Sequence, residues 1–170
     1  MINPYKIARE DLPLIVLSTD SSGFTSWVIK WRTKSNYSHI MMQIYPGGYH
    51  SQGNTFSFAS IDRYMTKTGK LKFWKIKNLA NFERNRLCNM INKDMRGSWW
   101  SKRYDYFGII GQALGIGKIN SPSRNYCSER VAKYLRSILE GIPLHPSPEE
   151  LNEVFKTHSR LEVFGRWAAD

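Results

Sequence analysis

Short apolar runs in the first half of the chain have the lengths of β-strands. Residues 12–18 (LPLIVLS) form a continuous run with β-branched members, which predicts a buried strand. Residues 38–45 (SHIMMQIY) predict a second strand, and the PGG turn at 46–48 predicts a hairpin whose return strand begins YHSQGN. Residues 70–78 (KLKFWKIKN) predict a further strand with basic residues on one face. An antiparallel sheet is therefore expected.

Helical spacing dominates the second half. Residues 82–96 repeat apolar side chains at helical intervals, and residues 126–141 do so before the chain reaches Gly141, a helix-ending residue. Residues 147–158 begin with serine followed three residues later by glutamate, which is the pattern of a capping box. Two more segments are expected to be helical, at 26–33 and 104–115. The whole pattern predicts one α+β domain over residues 1–170, with a small antiparallel sheet packed against helices.

Composition limits the class of protein. The chain has 170 residues, of which 41% are hydrophobic, and six tryptophans, so it is long and apolar enough to bury a core. Its two cysteines cannot form a disulfide framework, and no CxxC pair suggests zinc. No apolar run is long enough to span a membrane, and the first residues do not resemble a secretory signal. The reducing cytoplasm is therefore the expected compartment.

The charge favours anionic partners. Lysine and arginine number 25 against 14 acidic residues, which gives a net charge of +11. A field of this sign attracts nucleic acid, acidic lipid or an anionic cell-envelope polymer. A solvated basic surface with no such partner would have the same composition, and no helix-turn-helix, zinc finger or RNP-type strand is visible.

One cysteine stands where a helix is expected to begin. Cys127 opens the apolar pattern of the 126–141 segment, where the positive end of the helix dipole favours a thiolate. A small buried hydrophobic residue is the alternative explanation for a cysteine at this position. Cys88 lies inside the apolar pattern of 82–96 with no histidine near it in sequence, so we interpret it as structural.

Histidine is the residue type that could activate such a thiol. His39 begins the second predicted strand, and His50 follows eleven residues later, just beyond the glycine turn. A hairpin brings its strands to about 4.8 Å, so one polar side chain could orient the other. Gln52 has the same strand parity as His50 and is the alternative orienting residue. His145 lies between prolines and His158 near a helix end, and both are expected at the surface.

Two segments, YSHIMMQIYPGGYHSQGN (37–54) and YCSERVAKYL (126–135), together resemble a family. They are similar to the permuted papain-like cysteine hydrolases, the NlpC-type superfamily in its YiiX-like branch, and to the related lecithin:retinol acyltransferase family. The matching motifs are Ser38-His39, His50-Ser51 and Cys127-Ser128-Glu129, and the resemblance covers roughly residues 11–155.

This sequence departs from the family pattern in its third site residue. The spacing between the two histidines is one residue shorter than in the usual form. No Asp or Glu occurs between His39 and Asp62, although glutamate is common at the third position in the YiiX-like branch. Gln52 therefore remains an alternative to His50.

The resemblance implies a circularly permuted papain-like fold and a catalytic triad. Cys127 would be the nucleophile, His39 the base and His50 the orienting group, with no metal or cofactor required. The implied reaction is hydrolysis or transfer at an amide, ester or thioester. Peptidoglycan peptide is the expected substrate, and acyl ester or thioester chemistry is the alternative. If a phage encodes the protein, the virion or the host envelope would replace the cytoplasm as its compartment.

A binding protein is the rival class. A fold of this kind could be retained without turnover, and the basic and aromatic stretch GSWWSKRYDY (97–106) could hold nucleic acid or a protein partner. Core packing would equally explain the aromatic residues of this stretch.

Overall fold

The computed structural model describes residues 1–19, 35–52, 56–96 and 127–169, with the main chain alone at 49–52, 56 and 57. Its strands are β1 (Leu14–Ser18), β2 (His39–Tyr45), β3 (Gly48–Gln52), β4 (Phe56–Ser60), β5 (Lys70–Ile76) and β6 (Leu161–Ala168). Its α-helices are α1 (Asn81–Arg96), α2 (Cys127–Leu135) and α3 (Pro148–Thr157). The six strands form one sheet in the order β4-β3-β2-β1-β5-β6, and every pairing is antiparallel. The α+β class is therefore confirmed.

The sheet is buried on both faces around β1 and β2. All five residues of β1 and the first six of β2 are buried. Side chains alternate between faces along each strand, so two cores form. The helical face packs against all three helices and includes Ile15, Leu17, Ile40, Met42 and Trp74. The opposite face packs against the N-terminal segment and a 3-10 turn (Ile61–Tyr64), and it includes Leu14, Val16, Met41, Leu71 and Phe73.

Several sequence predictions are confirmed within the described residues. The hairpin forms from β2 and β3, and its turn uses Gly47 at a φ of +64°, which glycine adopts without strain. Helix α1 matches the predicted 82–96 segment within one residue, although Phe82 is 72% exposed instead of lying on the apolar face. Ser147 caps α3 through the expected capping box with Glu150.

Other predictions need correction. The helix expected over 126–141 ends at Leu135, because the chain then tightens into turns before Gly141. The basic face predicted for 70–78 is wrong: Lys72 pairs with Leu17 on the helical face, whereas Lys75 pairs with Leu14 on the opposite face. The segments 26–33, 97–106 and 104–115 lie outside the described residues. In the part of the chain that is described, no helix has the length and apolar character needed to cross a membrane.

Candidate functional site

Cys127 is the first described residue of α2, because residue 126 lies outside the described ranges. It is 4% exposed and belongs to the core of the helical face together with Ile40 and Met42. Helix α2 lies against β2, and its buried residues Val131 and Leu135 follow at helical spacing and join the same core. The thiol therefore lies in α2, the helix that contacts the strand that His39 begins. Its position at the positive end of the helix dipole stays a prediction.

His39 lies on the other side of the sheet. It pairs with Ser18 at the start of β2, and its neighbour Ile40 packs on the helical face, so strand alternation places His39 on the opposite face. Its imidazole stacks on the Tyr64 ring with centroids 5.2 Å apart and an interplanar angle of 11°. The structure does not bring His39 and Cys127 together, contrary to the geometry that the sequence suggests.

Burial strongly affects the His39 imidazole. The residue is 8% exposed, and its buried Nε2 has no hydrogen-bond partner among the described residues. This burial, together with the positive charge of Arg63, lowers the pKa of His39 from 6.5 to about 4. The imidazole is therefore neutral at physiological pH and is a weak proton acceptor where it stands.

We expect His39 to make the fold acid-sensitive. An unfolded chain binds a proton at this residue below pH 6.5, whereas the folded protein does so only near pH 4. Above pH 6.5 the protonation of this residue does not reduce the free energy of unfolding. As the pH falls towards 4, the free energy of unfolding declines by about 3 kcal/mol, because each unit of pKa difference corresponds to about 1.4 kcal/mol. Chemical denaturation of wild type and His39→Gln between pH 4 and pH 7 measures this contribution.

His39→Gln should lose the part of the pH dependence of the unfolding free energy that His39 contributes. Arg63→Gln should lose a smaller part, because it removes only the charge contribution to the lowered pKa of His39. His145→Gln is the matched control for the loss of an imidazole, since that ring is 72% exposed whereas the His39 ring is buried. Parallel stability curves for His39→Gln and wild type would contradict the expectation.

The backbone register places His50 beside the helical core. The main chain of His50 in β3 pairs with Met42 on one side and Phe58 on the other. Met42 packs in the same core as Cys127. Gln52 pairs with Phe56 at the far end of β3. The triad roles of Cys127, His39, His50 and Gln52 remain predictions.

The remaining thiol and histidines lie in ordinary surroundings. Cys88 is partly buried in α1, and burial raises the pKa of its thiol while the Arg84 charge lowers it by less. His145 Nδ1 is 2.7 Å from Glu129 Oε1, which is hydrogen-bond distance, and the ring is exposed. His158 is the C-cap residue that follows α3, and its Nε2 is 3.2 Å from the Glu140 carbonyl oxygen. The expected surface position is thus confirmed for His145, whereas His158 is half-buried.

A polar cluster that sequence reasoning missed anchors α2. Arg130, one turn after Cys127, is 5% exposed, and its guanidinium lies 3.6 Å from the Asp94 carboxylate of α1. The Tyr134 hydroxyl donates a hydrogen bond of 2.8 Å to the same carboxylate. Burial, and then the Asp94 charge, raise the pKa of Tyr134. Because Arg130 and Tyr134 are four residues apart on one helix face, this cluster fixes the rotation of α2 and with it Cys127.

Within the four described ranges, no three His, Cys, Asp or Glu side chains gather as a metal site would require. No model of a known protein family matches the chain, and a search of curated proteins finds no match.

Proposed function

We propose that the protein is a cysteine hydrolase of the permuted papain-like type, with Cys127 as its nucleophile. One observation carries the proposal: Cys127 lies in a helix that packs against β2, the strand that His39 begins, and β2 pairs with β3, the strand that contains His50. A helix N-terminus stabilises a thiolate, and a histidine from the adjacent hairpin could receive the thiol proton. The motifs that resemble the family, Ser38-His39 and Cys127-Ser128-Glu129, support the same assignment.

The proposal assigns the base to His50. Residue 50 is in register with Met42, which shares a core with Cys127, whereas His39 stacks on Tyr64 across the sheet. The lowered pKa of His39 would also disfavour a thiolate–imidazolium pair with it. Gln52, two residues further along β3, is then a candidate for orienting the His50 ring.

The proposed reaction proceeds through an acyl-enzyme. The Cys127 thiol gives its proton to the histidine, and the sulfur forms a bond to the substrate carbonyl carbon. The leaving amine or alcohol departs with that proton. Water then gives a proton to the histidine and its oxygen to the acyl carbon, which releases the acid and restores the thiol. The main-chain N–H of Cys127 is a candidate donor to the oxyanion.

Peptide crosslinks and stems of peptidoglycan are the proposed substrate. This polymer is anionic in the cell envelope, and the net charge of +11 favours binding to it. Acyl esters or thioesters are the second substrate class, because the same acyl-enzyme chemistry serves them. A basic binding protein is the other candidate function, and the separation of His39 from Cys127 favours it over turnover by that pair.

A substrate comparison tests the proposal. Wild-type protein is incubated with purified peptidoglycan, phospholipid vesicles and an acyl thioester, each with and without a chelator. We expect release of peptides from peptidoglycan at a rate that the chelator leaves unchanged. Activity that chelation abolishes would refute the metal-independent mechanism. Absence of turnover on all three substrates, with nucleic-acid binding that weakens steeply with salt, would establish the binding protein instead.

A further inference from the structure

Two cations face each other across the β5–β6 strand pair. Lys72 of β5 is directly paired with Arg166 of β6, so both residues belong to the helical face. Like charges directly opposite each other destabilise a sheet. A third cation, Lys156 of α3, is near enough for its charge to affect Lys72. The fold thus brings three basic side chains together beside α3.

Two carboxylates of α3 act on Lys72 without an ion pair to it. The charges of Glu149 and Glu153 raise the pKa of Lys72, by less than burial, Arg166 and Lys156 lower it. Neither Lys72 nor Arg166 forms an ion pair with any carboxylate of the described residues. Glu149 accepts hydrogen bonds from the Asn36 N–H at 2.8 Å and the Asn152 amide at 3.0 Å. The Glu153 carboxylate is 2.5 Å from Lys156 Nζ.

Lys72 is buried in spite of its charge. The residue is 8% exposed, and its ammonium donates to Asn152 Oδ1 at 3.0 Å and lies 4.3 Å above the Trp74 ring. Burial, followed by the charges of Arg166 and Lys156, lowers the pKa of Lys72. An ammonium has three donors, and the amide and the ring satisfy two of them.

An orphaned donor lies beside the same ammonium. Trp74 is 2% exposed, and its indole Nε1 has no hydrogen-bond partner in the described part of the chain. A buried N–H without an acceptor costs about 1–3 kcal/mol, so such groups are usually satisfied by a ligand or water. The two cations, which have no ion pair within the described residues, and the unsatisfied indole N–H would all be stabilised by an acceptor with negative charge.

We propose that Lys72 and Arg166 form a binding site for an oxyanion, the carboxylate or phosphate group of a ligand. Lys72 forms its inner wall, and the exposed Arg166 forms its entrance. The anion relieves the repulsion between the two cations and accepts charge-assisted hydrogen bonds from both. The site uses neither Cys127 nor the hairpin histidines, so it is independent of the proposed hydrolysis.

Anion titrations of charge-matched variants test this site. Inorganic phosphate and, separately, acetate are titrated calorimetrically into wild type, Arg166→Gln and Arg86→Gln at constant ionic strength set with sodium chloride. Arg86 is an exposed arginine of α1, so its variant has the same net charge as Arg166→Gln. We expect Arg166→Gln to weaken anion binding about tenfold, the loss of one charge-assisted contact, and Arg86→Gln to leave it unchanged.

Comparing the two anions identifies the ligand class. Tighter binding of phosphate indicates a phosphate ligand, and tighter binding of acetate indicates a carboxylate ligand. Addition of the anion should also raise the pKa of the Lys72 ammonium, and NMR of its Nζ measures this change. Cys127→Ala should bind as wild type does, which separates this site from the hydrolase proposal. Equal affinities of Arg166→Gln and Arg86→Gln, or heat that chloride alone reproduces, would overturn the proposal.

Discussion

Replacing Cys127 by alanine should lower the rate of peptide release from peptidoglycan by at least about 10³-fold. Without the sulfur no acyl-enzyme forms, and any remaining rate comes from substrate binding and oxyanion stabilisation alone. Alanine fits the site, because Cys127 sits in a tightly packed core at the start of α2 and alanine is smaller and favours helix. The measurement is the initial rate of soluble peptide release at equal protein concentration.

Cys88→Ala is the matched control for the nucleophile. It removes a partly buried thiol from α1, and its rate should remain within a few-fold of wild type. Circular dichroism of both variants establishes that each is folded. Equal rates for Cys127→Ala and wild type would exclude Cys127 as the nucleophile.

The second large effect concerns the base. His50→Ala should reduce turnover by about 10²- to 10⁴-fold, the usual contribution of a general base. His39→Gln should leave turnover within a few-fold, because the His39 ring stacks on Tyr64 across the sheet from Cys127. Initial rates across pH 5–9 distinguish His50→Ala from His39→Gln. Loss of the base also removes its ionisation from the pH–rate profile.

Gln52→Ala completes the comparison on the hairpin. A smaller loss than in His50→Ala is expected if Gln52 only orients the imidazole. Loss of activity in His39→Gln with retention in His50→Ala would reverse the assignment of the base. Loss in Gln52→Ala with retention in His50→Ala would show that the polar partner had been chosen wrongly.

Local patterns predicted α1, α3 and the hairpin well, whereas the end of α2 was wrong. The capping box of Ser147 and Glu150 is a feature of adjacent residues, and so is the glycine turn at Gly47. These signals act within a few residues, so tertiary packing does not alter them.

The side of the sheet on which His39 lies could not be predicted in the same way. A strand with one solvated face shows alternating hydrophobicity, which assigns each residue to a face. Strand β2 is buried on both faces, so Ile40, Met41 and Met42 are all apolar and the alternation disappears. The face of His39 is fixed only by the helices and by Tyr64, which are distant in sequence.

The two edge strands gave no clear signal either. Strand β4 has only five residues, and β6 contains Gly165 in its interior with charged residues at Glu162 and Arg166. A Cβ at that glycine would lie 2.5 Å from Cγ2 of Ile2, so a larger residue there would displace the Ile2 side chain. Such strands form because a neighbouring strand offers hydrogen bonds, which no local pattern reports.

The order of elements along the chain has a consequence during synthesis. Strand β5 lies between β1 and β6, and α2, α3 and β6 all come from residues 127–168. A nascent chain that ends before residue 127 therefore exposes apolar side chains of the sheet, among them Leu17 and Trp74, and leaves one side of β5 unpaired. Unpaired edges and exposed apolar faces promote aggregation. Ribosome-bound intermediates of this protein should accordingly be good substrates for chaperones.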